Sequence, residues 1–299
     1  MVAFFVYSTG RCATQALARY FAANLGDRAV VEHEPLRARW APRIALRHPD
    51  LASLRRKLPE VDRHLDRIAR TLAQGLDYVE TGWPAFAWFP YLKIFLGENF
   101  RWVHLVRNPL YVAASMATHD YYDPKRAHPE FAALAHLVPT DHGVSGHDLA
   151  LEWRRLSQFE KCLYQWLEIN RYALELSRSS KVRPVVVARY EDLFGLSAEP
   201  LRHFYLAAGV GAPRIDRPER FDRYQRATVV RQNLNCALLR QDVEALAHDL
   251  RYDDREVSFE IMIKAVHWRY SRPWRGATGT GVKTTLRFAT RSLLRLMEP

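Results

Sequence analysis

Residues 4–16 read FFVYSTGRCATQA: a short apolar run, a loop of small residues carrying one arginine, then a helical pattern. A helix N-terminus preceded by small residues presents orphan N–H groups and the positive end of a helix dipole, which together favour an anion. Gly10 permits a tight turn, and Cys12 and Ala13 are small enough for a phosphate to approach the backbone. Thr14 can cap the helix or hydrogen-bond an anionic oxygen, and Arg11 adds a fixed charge with a fork of donors. Taken alone, the loop fits an anion cradle or a plain strand-to-helix turn equally well. A magnesium-binding nucleotide kinase fits less well, because no Gly-Lys-Ser/Thr follows Gly10 and the cation comes earlier in the loop.

A second set of residues favours the cradle. The run RWVHLV ends at Arg107, and Ser115 lies about two helical turns into the pattern that follows. An arginine at the carboxyl end of a strand sits where open α/β sheets bind ligands. Arg107 and Ser115 projecting to one side would hold a second anionic group, away from the first. A third set, VVEHEPLR, places His33 and Glu34 after another short strand. Desolvation beside a substrate would raise the Glu34 pKa and suit it to proton abstraction, with His33, and less so His119, as competitors. Glu32 shares a face with Glu34 if the strand continues that far, and would then support it. Glu80 and Thr81 end a strand and read either as groups at the mouth of the sheet or as a strand-end cap.

Elements must position these groups, and the pattern supplies them. Strands are expected at Phe4–Tyr7, Ala29–Glu32, Asp77–Thr81 and Arg101–Val106, with Val182–Arg189 as the most strongly buried of the set. Helices are expected over Gln15–Leu25, from Leu51 to Gln74, from Asn108 onward and over Leu149–Ser179. Alternation of this kind predicts an α/β fold: a three-layer, P-loop-like architecture with a parallel sheet flanked by helices and a helical C-terminal region. WPAFAWFPYLKIFLG reads as an apolar helix with a proline entry, and its aromatics Trp83, Phe86, Trp88 and Phe89 belong to the core. Residues 119–148 are irregular and long for a connection, as lids and binding loops are.

The 299 residues carry a formal charge of +11, which favours an anionic partner without naming one. Cys12, Cys162 and Cys236 are too few and too scattered for a disulfide framework or a zinc site, and the loop histidines lack metal-ligand spacing. No metal is therefore expected. No signal-peptide pattern and no apolar stretch of membrane-spanning length is seen, so a cytoplasmic location is the expectation.

STGRCAT resembles the 5′-phosphosulfate loop of the sulfotransferases that use 3′-phosphoadenosine 5′-phosphosulfate (PAPS), with Arg11 at the basic position, Cys12 and Ala13 at the small positions and Thr14 at the first threonine. LVRNPLYVAAS resembles the family's 3′-phosphate motif, an arginine eight residues before a serine. ARYEDL is similar to a segment whose tyrosine lies near the adenine, and SRPWRGATGTGVK is loosely similar to the C-terminal loop that closes over the nucleotide. The order is the family's, from residue 4 to about 283, so one domain is expected over 1–283 with a tail at 284–299.

The resemblance implies a metal-free sulfuryl transfer from PAPS to a hydroxyl acceptor, with adenosine 3′,5′-bisphosphate as product. It implies nucleotide contacts from Ser8, Gly10, Arg11, Cys12, Ala13, Thr14, Gln15, Arg107, Ser115, Tyr190, Arg275 and Gly276. Arg11 would stabilise the leaving group, and Glu34, twenty residues beyond Thr14, would be the base, with His33 as its rival. Ala13 and Gln15 depart from the family's glycine and second threonine, and the last loop lacks a lysine. A P-loop kinase is the alternative, and a nucleic-acid binder a more distant one. The basic tail, with Arg287, Arg291 and Arg295, suits docking on protein, a second subunit or an anionic membrane.

Overall fold

A computed structural model describes residues 1–179, 182–215, 237–260, 263, 264 and 266. At its centre is a sheet of five parallel strands: β1 (Ala3–Tyr7), β2 (Ala29–His33), β3 (Asp77–Thr81), β4 (Phe100–Val106) and β5 (Val186–Arg189), in the order β2-β3-β1-β4-β5. Parallel strands with both faces covered read as unbroken apolar runs, and β1, AFFVY, is buried throughout. Its side chains alternate between the two helical layers. Phe4 meets Phe21 and Phe204 on one face, whereas Phe5 and Tyr7 pack against Phe89 on the other.

The helices follow in chain order: α1 (Thr14–Leu25), α2 (Pro42–Ala45), α3 (Leu51–Lys57), α4 (Pro59–Ala73), α5 (Phe89–Leu96), α6 (Pro109–Ala117), α7 (Pro129–Leu134), α8 (Gln158–Arg178), α9 (Tyr190–Leu193), α10 (Glu199–Ala207), α11 (Arg240–Asp249) and α12 (Asp254–Val257). α1 and α10 cover the Phe4 face. α5 and α8 cover the other, where the Tyr7 hydroxyl donates to the Ile169 carbonyl at 2.5 Å.

Three expectations are corrected. The helix read over 51–74 is two helices, because Pro59 has no N–H to continue the ladder and instead opens α4 after a non-helical Leu58. The helix read from Leu149 begins at Gln158, where Ser157 and Glu160 form a reciprocal capping box. The strand read as the most buried is a four-residue edge strand that is only half-buried; the most enclosed strand is β1. Residues 119–148 include α7 and bury Phe131, His136 and Leu137, and the Arg43–Asp141 ion pair at 2.7 Å ties the segment to α2.

Trp83, Phe86, Trp88 and Phe89 are buried, as read.

Candidate functional site

β1 lies where the strand order changes direction: the chain runs from β1 to the β2–β3 side, then crosses to β4 and β5. In open α/β sheets, the carboxyl ends of the strands at such a reversal are where ligands bind. The first loop is held in an uncommon conformation, with Gly10, Arg11 and Ala13 at φ of 78°, 59° and 58°. Non-glycine residues adopt this left-handed region at a cost of about 1 kcal/mol or more. Gly10 has a second reason to be glycine, since a Cβ there would lie 2.9 Å from the Trp83 ring. Ala13 is the N-cap of α1 and offers no side-chain acceptor to the first-turn N–H groups. An uncapped helix start behind small residues is what the anion cradle requires.

Within the loop, the Gly10 N–H donates to Ser8 Oγ at 3.2 Å, and the Cys12 thiol donates to the Gly10 carbonyl at 3.2 Å. Burial pushes the Cys12 thiol up to about 11, so it packs as a neutral group rather than as a nucleophile. Thr14 is buried and Gln15 half-buried at the start of α1.

The β4–α6 junction supplies the partner half. Arg107 is buried at the end of β4, donates from Nη1 to the Arg11 carbonyl, and stacks its guanidinium 4.2 Å from the centre of the Tyr190 ring. Asn108 caps α6 by accepting from the Leu110 N–H at 3.1 Å, while its own backbone N–H donates to Glu191 at 3.0 Å. Glu191 also accepts from the Tyr252 hydroxyl at 2.9 Å. The ARYEDL segment thus contributes twice, through Tyr190 on Arg107 and Glu191 on the next residue. The sequence reading missed Glu191 although it stands beside Tyr190 in the quoted motif.

The two features read as separate anion contacts are joined here. Arg11 Nε donates to Ser115 Oγ at 3.0 Å, and Arg11 Nη2 to His119 Nε2 at 2.9 Å. A guanidinium cannot accept, so His119 Nε2 must be the acceptor and Nδ1 carries the proton. That proton points at the Ser115 carbonyl, 2.8 Å away. Burial, aided by the Arg11 charge, holds the His119 imidazole down at about 4, so it is neutral at physiological pH.

The third group approaches from β2 and β3. β2 ends at His33, and Glu34 turns out of the strand at φ 48° with its N–H on the Thr81 carbonyl at 3.1 Å. Gly82 makes room for it: a Cβ there would lie 2.4 Å from Glu34 Cγ. Burial raises the Glu34 pKa, opposed by the charges of His33 and Arg11, by a hydrogen bond from the Trp83 N–H and by Arg37. His33 gives its Nδ1–H to the Thr81 carbonyl at 2.8 Å, so Nε2 is the ring nitrogen outside that contact. Tyr121, whose pKa is raised chiefly by burial, lies within reach of Arg11, Glu34 and Trp83; no spacing in the sequence marked it.

Glu32 does not support Glu34. The left-handed turn at Glu34 ends the alternation, and Glu32 instead pairs with Arg67 and lies 2.9 Å from the Tyr78 hydroxyl, whose one proton it shares with Glu80. Glu80, read either as mouth or cap, is buried on Trp40, His64 and Tyr78 at 2.9, 3.0 and 2.8 Å. Arg275, Gly276 and the 284–299 tail lie outside the described residues. No helix among the described residues is long and apolar enough to cross a membrane.

No protein-family model and no curated protein matches the chain. Among solved structures it is similar to the sulfotransferase domain from the Synechococcus PCC 7002 olefin synthase, with 17% identity and a TM-score of 0.44 over 84% of this chain and 94% of that one.

Proposed function

We propose that the protein is a sulfotransferase that moves the sulfuryl group of PAPS to a hydroxyl acceptor: R–OH + PAPS → R–OSO₃⁻ + adenosine 3′,5′-bisphosphate + H⁺. One observation carries the reading: an uncapped, left-handed loop before α1 brings Arg11 onto Ser115, and Arg107 onto the same loop, at the divergence of β1 and β4. Two arginines, one hydroxyl and the start of a helix are a donor set for a nucleotide with two anionic ends.

In this reading PAPS supplies an activated sulfuryl group, and the chain supplies position and charge. The Ser8–Gln15 loop would hold the 5′-phosphosulfate, Arg107 and Ser115 the 3′-phosphate, and Tyr190 the neighbourhood of the adenine. Arg11 retains its charge throughout and stabilises the negative charge developing on the leaving oxygen. Glu34 takes the acceptor's proton; its raised pKa makes it a better base than an exposed carboxylate while the Trp83 N–H fixes its direction. His33, through Nε2, is the alternative base.

Calorimetric titration with adenosine 3′,5′-bisphosphate in the absence of metal tests the reading. Micromolar binding that is lost in Arg107→Ala, and is much weaker for adenosine 5′-monophosphate, supports it. Equal affinity for the two nucleotides would remove the 3′-phosphate site, and with it the proposal.

A further inference from the structure

His119 belongs to none of the motifs that suggest the function. It follows α6, one helical turn beyond Ser115, and the sequence offers it only as a weak competitor for the base. Its two nitrogens are engaged otherwise. Nδ1–H donates to the Ser115 carbonyl, with the Thr118 hydroxyl 3.2 Å from the same nitrogen, and Nε2 receives Arg11 Nη2 at 2.9 Å. The ring is thus locked at one end by helix backbone and presents a lone pair to a guanidinium at the other.

Arginine is more commonly held by a carboxylate, which forms the stronger, charge-assisted pair. A carboxylate here would also cancel the charge that the site needs at the leaving group. A lysine or a charged imidazole would repel Arg11 instead. A neutral acceptor avoids both, as the Ser115 hydroxyl does on Nε and the His119 imidazole on Nη2: it fixes the guanidinium's direction and leaves its charge intact.

We propose that His119 is a positioning residue, a neutral hydrogen-bond acceptor that, with the Ser115 hydroxyl, aims Arg11 without neutralising it. Arg11 needs such a holder because its own backbone is left-handed, at φ 59°, and its side chain must cross from the β1 loop to α6. The role in sulfuryl transfer rests on the proposed function; the tether itself does not.

Two experiments therefore separate them. The first records the ring-nitrogen NMR spectrum of histidine-labelled full-length protein at neutral pH, with His119→Gln to assign the signal and Arg11→Met to break the contact. A neutral ring protonated at Nδ1, whose Nε2 signal moves in Arg11→Met, is the expected result. An imidazolium, an Nε2–H tautomer or an unmoved signal overturns the tether, whatever the enzyme does.

The second compares adenosine 3′,5′-bisphosphate affinity and PAPS turnover in wild type, His119→Gln, His119→Ala and His119→Glu. His119→Gln keeps an acceptor and stays within about threefold of wild type in kcat. His119→Ala loses about tenfold or more in kcat with a smaller change in nucleotide affinity, whereas His119→Glu loses about tenfold in both. A purely structural role predicts instead that Gln and Ala fall together with thermal stability. Folded His119→Glu equal to wild type, or His119→Ala equal to His119→Gln, overturns the role. If wild type binds no bisphosphate, the sulfotransferase reading falls, the role falls with it, and the spectrum still decides the tether.

Discussion

Two clusters on the same sheet hold nearly the same residue types. Under the β2–β3 half, Glu80 takes hydrogen bonds from Trp40, His64 and Tyr78, and Glu32 completes the group with Arg67. Beyond the carboxyl ends, Glu34, His33, Arg11 and His119 form the other. The first centres on the buried Glu80 and stands on regular backbone, with each acid surrounded by donors. In the second, Arg11 and Glu34 stand on left-handed backbone, and the Glu34 pKa is raised by burial. Acid, histidine and arginine in proximity are therefore not what distinguishes a candidate site from a structural network. Backbone held away from its easy conformations, at the mouth of the sheet, distinguishes it here.

The largest effect should come from the cations. Arg11→Met is expected to lower PAPS turnover about 10³-fold with the protein still folded, by the magnitude typical of lost charge stabilisation in a transition state. Arg67→Met, its counterpart in the structural cluster, should leave turnover within a few-fold; a similar collapse there would erase the distinction. Next come the acids. Glu34→Gln should reduce kcat about 10²–10⁴-fold while the melting temperature holds, and Glu80→Gln should do the reverse, costing about 1–3 kcal/mol in denaturant unfolding because buried donors lose their acceptor charge. A retained rate in Glu34→Gln would pass the role of base to His33. With Glu34 as the proposed base, kcat/KM in wild type should rise with pH through its raised pKa, since a base acts only when deprotonated.

An intermediate effect tests the backbone. Gly82→Ala puts a methyl group against Glu34 at a residue with φ 153°, so turnover should fall with KM for the nucleotide little changed.

Acid stability probes three buried imidazoles at once. His104, His119 and His136 are each held down at about 4 by burial, against an ordinary 6.5. Between these values the unfolded chain binds more protons than the folded one, so their contribution is complete above pH 6.5 and is lost as pH falls towards 4. Urea midpoints should drop through that window, and His119→Gln should flatten part of the slope. The smallest effect is Ser157→Ala, which removes one side of the α8 capping box and should cost about 1 kcal/mol without touching turnover.

Much of this architecture was legible because local chemistry decides it. The first four strands fall within a residue or so of their apolar runs, Gly10, Arg11 and Arg107 stand just after strand ends, and Ser115 lies inside α6, as their spacing suggested. Errors arose where neighbours decide. VRPVVVAR has the composition of a buried strand, yet burial depends on place in the sheet, and β5 lies at the edge. Glu32 was paired with Glu34 by alternation, which stops where one residue turns left-handed. The late start of α8 was visible after all, since Ser157-Gln-Phe-Glu160 is a capping signature that the continuing helical period obscured. Nothing local could have shown that Arg11 meets Ser115 and His119, more than a hundred positions further on.

That separation also sets a timetable. A chain emerging from the ribosome N-terminus first exposes β1, its loop and α1 long before α6 is made, so Arg11 is synthesised well ahead of the hydroxyl and imidazole that orient it. Until His119 has emerged, the nascent protein has the basic loop without its Ser115 and His119 contacts. Competence for an anionic ligand should therefore appear abruptly with chain length, and truncated chains ending before α6 should lack it even where β1 and α1 have formed.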